Sequence, residues 1–107
     1  VNVAVTVCDK EGKIIHMNDK SRKTFMKPEQ EEIIGKNVLD CHPEPAHSLL
    51  ADMLVNPRTN VYTIEKNGIK KLIYQTPWYQ EGEYQGFMEL SMEIPMEMPH
   101  KIRKPNP

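Results

Sequence analysis

The 107-residue sequence lacks the features that mark several protein classes. It has only two cysteines, Cys8 and Cys41, too few for a disulfide framework, so we expect reduced thiols in a cytoplasmic protein. The net charge is −1, with 14 basic and 15 acidic residues interspersed, which argues against a nucleic-acid partner. No apolar run approaches the roughly 18 residues that a membrane span requires. No signal peptide is visible, so we expect no membrane association.

Catalytic signatures are missing as well. The sequence has no glycine-rich phosphate-binding loop and no nucleophile elbow. Its four histidines, two cysteines and 15 carboxylates form no hydrolase pattern. We therefore expect a protein that is not an enzyme.

Alternation of apolar and polar residues predicts the strands. Residues 1–8 (VNVAVTVC) alternate with period two, and the turn DKEG leads into a second short strand, KIIHM. The pair Asn67-Gly68 predicts a two-residue hairpin that places Glu65 opposite Lys70. After a further turn in YQEGEYQG, the segment FMELSMEI alternates as a last strand. We expect these five strands to form one sheet.

Three segments have helical patterns. The first, KSRKTFM, follows a capping oxygen of Asn18 or Asp19, and the second, PEQEEIIG, ends at Gly35. The third, residues 45–56, carries an apolar stripe and should cover one face of the sheet. Its members are Ala46, Leu49, Leu50, Met53 and Leu54. The fold class is therefore α+β.

The order of these elements and several motifs resemble a PAS domain, a small sensory module of signalling proteins. The run VCDKEGKIIHMNDKSRKTF, the helix end IIGK and the closing strand YQGFMEL carry the resemblance. It covers residues 1–94 and implies a five-stranded antiparallel sheet of order 2-1-5-4-3 with short helices on one face. It also implies a non-catalytic role in sensing or protein association in bacterial-type signal transduction. PAS domains hold haem, flavin, small acids or nothing, so the resemblance leaves the ligand open.

Residues 95–107 contain four prolines and predict a linker or a disordered tail.

The segment CHPEPAH, residues 41–47, raises the question of a metal or haem site. Cys8, Cys41, His42 and His47 include neither a Cys-x-x-Cys nor a His-x-x-x-His pair, so we expect no metal site. Haem ligated by His47 is an alternative, since haem-binding PAS domains use a histidine of this helix. A flavin adduct is disfavoured because VLDCHPEP does not match the photosensing motif. We expect no cofactor and interpret the segment as the structured start of the third helix.

Two-residue turns in both hairpins assign residues to the two faces of the sheet. A small-ligand pocket is expected on the helix face. Its predicted lining is Leu50, Met53, Tyr62, Ile73, Gln75 and Met88, with Ile64 and Leu90 on the same face. The outer face is expected to be an interface, either with a second copy or with a neighbouring signalling domain. Its predicted residues are Val61, Leu72, Tyr74 and Phe87. The rival functions are a dimerisation scaffold with a filled core and a haem-based gas or redox sensor.

Overall fold

A computed structural model describes residues 2–25 and 34–106. Five strands form one antiparallel sheet in the order β2-β1-β5-β4-β3, which confirms the predicted fold class and strand order. The elements in chain order are β1 (Ala4–Asp9), β2 (Ile14–Met17), α1 (Asp19–Phe25), a 3₁₀ helix (Val38–Cys41), α2 (Ala46–Val55), β3 (Asn60–Lys66), β4 (Ile69–Gln80) and β5 (Glu83–Ile94). The helix expected over residues 28–35 lies largely outside the described residues. No helix in the described ranges is long and apolar enough to cross a membrane.

The two predicted turns of the C-terminal half have the expected geometry. Asn67 and Gly68 have φ values of 54° and 77°, and the turn pairs Glu65 with Lys70 as expected. Positive φ at both central residues matches the right-handed twist of the flanking strands. Residues 81–82 form the second turn in the same way, with φ values of 51° and 80°.

The first hairpin is held by side chains as well as by strand pairing. The carboxylate of Asp9 accepts from the backbone N–H groups of Glu11 and Lys13, at 3.0 and 2.9 Å. The amide nitrogen of Asn37 donates to the carbonyl oxygen of Glu11 at 2.9 Å, which ties the turn to the segment before the 3₁₀ helix. Asn18 caps α1 by accepting from the backbone N–H of Ser21 at 2.9 Å.

A β-bulge shifts the register between β4 and β5. Tyr79 pairs with Tyr84, but Trp78 pairs with Gly86, so Gln85 is an extra residue on β5. A bulge of one residue reverses the faces of every residue beyond it, because side chains alternate with period two. From Phe87 onwards, the helix-facing residues of β5 are therefore the odd-numbered ones.

This reversal makes three predicted face assignments wrong. Met88 and Leu90 lie on the outer face, and Phe87 lies on the helix face, where it is buried. The prediction assumed an uninterrupted ladder from the turn at Gly82. The other assigned residues of β3 and β4 lie on the predicted faces, because the Asn67-Gly68 hairpin has no bulge.

One hydrophobic core lies between α2 and the sheet. Its buried residues are Cys8, Ile14, Met17, Val38, Leu50, Met53, Leu54 and Phe87. The predicted stripe of α2 supplies three of them, and the hydroxyl of Tyr84 donates to the carbonyl oxygen of Leu54 at the end of the helix, at 3.1 Å. Leu50, Met53 and Leu54 therefore pack α2 against the sheet.

Residues 95–106 form no helix or strand, and all of them are exposed. The ammonium of Lys70 donates to the carbonyl oxygen of Met96 at 3.3 Å, close to the end of β5. Whether this segment is a linker or a disordered tail stays a prediction.

Candidate functional site

A cleft of about 440 Å³ lies between α2 and strands β3 and β4 of the sheet. One wall is apolar and comes from the start of α2, whereas the floor is polar and comes from β3 and β4. The lining residues are His42, Pro45, Ala46, Leu49, Leu50, Asn60, Tyr62 and Gln75. An apolar wall with a few polar groups is the usual composition of a small-molecule site.

The predicted pocket residues divide into three groups in the structure. Leu50, Tyr62 and Gln75 line this cleft. Met53 and Ile73 are buried, with exposed fractions of 0% and 5%, and neither lines the cleft. Met88 lies on the opposite face of the sheet because of the bulge. Whether a ligand binds here stays a prediction.

A row of polar side chains crosses the helix face of the sheet beside the cleft. The Nε2 group of Gln75 donates to Oε2 of Glu89 at 2.9 Å, and the Nδ2 group of Asn60 donates to Oε1 of Gln75 at 3.1 Å. Gln75 is only 6% exposed, so these bonds satisfy an amide that would be costly to bury alone. The three residues lie on three adjacent strands, because Gln75 is the register partner of both Asn60 and Glu89.

The carboxylate of Glu89 acts on the cleft through its charge. Partial burial raises the pKa of the Tyr62 hydroxyl, and the negative charge of Glu89 raises it further. The same potential disfavours any anion that would lie beside Tyr62.

Sequence analysis missed Asn60 and Glu89 for different reasons. Asn60 could have been found, since the Asn67-Gly68 turn fixes its pairing with Gln75. Glu89 required the bulge, for which the signal was Gly86 within a strand pattern. A Cβ at Gly86 would lie 2.1 Å from the carbonyl oxygen of Cys8, so only glycine permits this approach of β1 to β5.

The segment that raised the metal question forms the edge of the cleft. The Nδ1 atoms of His42 and His47 lie 2.7 and 2.8 Å from the carbonyl oxygens of Val38 and Leu39, so both rings bond to the 3₁₀ helix. The carboxylate of Glu44 accepts from the backbone N–H of Ser48 at 2.7 Å and from its hydroxyl, and these bonds lower the pKa of Glu44. These contacts give both histidines and Glu44 a structural role at the start of α2.

The described part of the chain contains no group of three or more histidine, cysteine or acidic side chains that could hold a metal ion. The side chain of Cys41 is outside the described set. Cys8 is a buried free thiol with 4% exposure, and burial raises its pKa. A thiol of this kind is an unreactive part of the core.

The outer face of the sheet is apolar and has no covering element in residues 2–25 and 34–106. Of the predicted interface residues, Val61, Leu72 and Tyr74 lie on it, and Phe87 does not. Val61 and Tyr74 are 49% and 38% exposed. Because the bulge reverses the faces of β5, this face also includes four partly exposed residues of that strand, namely Met88, Leu90, Met92 and Ile94.

Comparison with known proteins agrees with this architecture. Residues 1–59, more than half of the chain, match the sequence model of a family described as PAS fold. No curated protein matches the chain in sequence.

Solved structures share the fold at low sequence identity. A sensory box sensor histidine kinase from Vibrio cholerae is 17% identical, with a TM-score of 0.68 over 90% of this chain and 85% of that chain. The PAS domain of BvgS from Bordetella pertussis is 18% identical, with a TM-score of 0.65 over 89% of this chain and 79% of that chain. The Aer2 receptor from Vibrio cholerae, described as a dual PAS-haem oxygen sensor, is 23% identical, with a TM-score of 0.59 over 87% of this chain and 95% of that chain.

Proposed function

This chain belongs to the PAS family, and on that premise we propose that it is a non-catalytic sensory module that binds a small molecule in the cleft between α2 and the sheet. PAS domains are typically sensory signalling modules. The observation that carries the proposal is a cleft of about 440 Å³ whose floor ends in the hydrogen-bonded row of Asn60, Gln75 and Glu89. A filled core would have no need of a polar row on its helix face, since burying polar groups gives little net stability.

A thermal-shift screen of small acids, amides and nucleobases tests this proposal. A bound ligand stabilises the folded state by about 2.7 kcal/mol at a hundredfold excess over its dissociation constant. Ala46 lines the cleft, so Ala46→Trp should fill it and abolish the response to true hits. Val55 is 78% exposed and does not line the cleft, so Val55→Trp is the matched control. Hits that persist in Ala46→Trp, or the absence of hits, would contradict the proposal.

Self-association through the outer sheet face is a second candidate function. The exposed Val61 and Tyr74, on a face without a cover in the described ranges, support it. A symmetric pair would bury the same patch on both copies. The two functions are compatible, because the cleft and this face lie on opposite sides of the sheet.

The haem alternative gains no support from this geometry. His47 does not line the cleft, so its ring would not reach a group bound there. The likeness to the haem-binding Aer2 receptor extends to the fold alone at 23% identity.

A further inference from the structure

The hydrogen bonds on the cleft floor are donated in one direction, from Asn60 to Gln75 and from Gln75 to Glu89, because the carboxylate of Glu89 can only accept. A carboxylate only accepts, so the Gln75 amide must turn its Nε2 group towards Glu89 and its Oε1 atom towards Asn60. Asn60 must then donate through Nδ2 to that oxygen, which leaves its Oδ1 atom as an acceptor. Each link in such a chain polarises the next, so the free end is a stronger acceptor than an isolated amide.

His42, at the edge of the cleft, also presents an acceptor. The Nδ1 atom of His42 lies 2.7 Å from the carbonyl oxygen of Val38, and a carbonyl can only accept. The proton of the neutral imidazole is therefore on Nδ1, and its Nε2 atom is an acceptor. The hydroxyl of Tyr62 and the second hydrogens of the Asn60 and Gln75 amide groups can still donate, but none of these donors carries a positive charge.

The charges on this face of the sheet act in the same direction. Glu89 bonds to Gln75 of the cleft floor at 2.9 Å, and its negative charge raises the pKa of the neighbouring Tyr62 hydroxyl beyond the effect of burial. Lys71, a cation on the same face, is opposite Glu93 in the β4–β5 register. A carboxylate ligand would meet the negative charge of Glu89, and only neutral donors would replace its hydration.

We infer that this cleft selects a small molecule with an apolar body and an N–H donor head, neutral or cationic, and that it rejects carboxylates. The apolar body would pack on Leu49, Leu50 and Pro45, and the donor head would bind the acceptors of Asn60 and His42. The inference rests on the proposed function, because it names the class of ligand for the same cleft.

Four probes of nearly equal shape test the head-group preference. Benzamidinium, benzamide, N,N-dimethylbenzamide and benzoate share one ring and differ in charge and in N–H donors. Their dissociation constants are measured at low ionic strength by following amide resonances of labelled protein. We expect benzamidinium and benzamide to bind about tenfold or more tightly than benzoate, as one charge at short range in a partly buried site would give. Dimethylation should weaken benzamide by a similar factor, because it removes the donors.

Two variants that each remove one negative charge test whether Glu89 causes the preference for benzamidinium over benzoate. Glu89→Gln keeps a hydrogen-bonding partner for Gln75 and removes the charge, so the preference of benzamidinium over benzoate should fall severalfold. Glu93→Gln removes an exposed charge from the same strand and face and should leave the preference unchanged. If Glu89→Gln fails to fold, the comparison of benzamide with its dimethyl derivative in the wild type decides on its own.

The outcomes separate this inference from the proposed function. Equal binding by all four probes, or tighter binding by benzoate, would overturn the inference and leave the sensory cleft in place. Anionic hits in the broader screen, with none of the four probes binding, would do the same. No binding by any probe, together with no hit in the screen, would overturn both.

Discussion

Gly86 pairs with Asp9 of β1, and its φ is 150°. A methyl group there would meet the backbone of Cys8 and Asp9 rather than a flexible side chain. The bulge beside it turns Glu89 towards the helix face and Met88 away from it. The register of the whole C-terminal strand thus depends on one residue without a side chain.

We predict that Gly86→Ala lowers the free energy of unfolding by about 3 kcal/mol or more, because a collision with backbone is added to a strained φ. Gly82→Ala is the control, since Gly82 has φ of 80° but open space around it, and it should cost about 1 kcal/mol. Urea denaturation measures both. Equal losses in the two variants would contradict the role given to the close approach.

Cys8 gives the stability a dependence on alkaline pH. Burial raises the pKa of its thiol, which the charges of Asp9 and Glu89 raise further and a backbone hydrogen bond from Phe87 lowers in part. Above the pKa of the unfolded thiol, about 8.5, the folded state keeps a proton that the unfolded state loses. The contribution of the buried thiol to the free energy of unfolding is therefore complete below that pH and is lost as the pH rises.

We predict that the free energy of unfolding falls more steeply in wild type than in Cys8→Ala between about pH 7.5 and 9.5. Urea titrations at several pH values measure the difference between the two proteins. Cys41 is present in both, so its titration cancels. Parallel pH profiles would show that the thiol of Cys8 is not protected in the folded state.

At the scale of elements, local signals predicted most of the fold. Asn67-Gly68 fixed its hairpin because both residues adopt positive φ, and the stripe of α2 predicted the buried Leu50, Met53 and Leu54. The bulge was missed because the prediction assumed an uninterrupted ladder from the turn at Gly82, although Gly86 within the strand pattern was a signal for it. The cleft was predicted in part, since α2, the β3–β4 hairpin and the strand order were correct, whereas the residues of β5 were assigned to the wrong faces.

The C-terminal segment can be tested as an element of its own. Residues 95–106 are exposed and form no helix or strand, and the contact from Lys70 to Met96 is also exposed. We predict that truncation after Ile94 shifts the thermal midpoint by less than about 4 °C, which corresponds to less than about 1 kcal/mol in a domain of this size. A larger loss, measured by circular dichroism, would show that the segment packs on the domain.

At the scale of the molecule, one face of the sheet is covered and the other is exposed. Core residues and α2 cover the helix face, and an apolar surface extends over the outer face. Phe87 was first assigned to that surface, but it is buried, so a charge there would unfold the protein rather than separate two copies. The residues that can test association are those of β3 and β4.

We predict that the wild type is a dimer and that Val61→Glu converts it to a monomer with unchanged circular dichroism. The matched control is Ile64→Glu on the same strand, because Ile64 is 44% exposed but lies on the helix face. Sedimentation velocity at high micromolar concentration distinguishes the states. A monomeric wild type would contradict self-association, and equal dissociation in both variants would place the contact elsewhere.

We propose the cleft between α2 and the sheet as the sensory site. The most direct test is a titration of the strongest screening hit into ¹⁵N-labelled protein, followed by two-dimensional NMR. We expect saturable shifts centred on His42, Ala46, Asn60 and Gln75, with little change at Leu72 and Met88 on the outer face. Shifts centred on the outer face, or no saturable shift at the cleft, would contradict it.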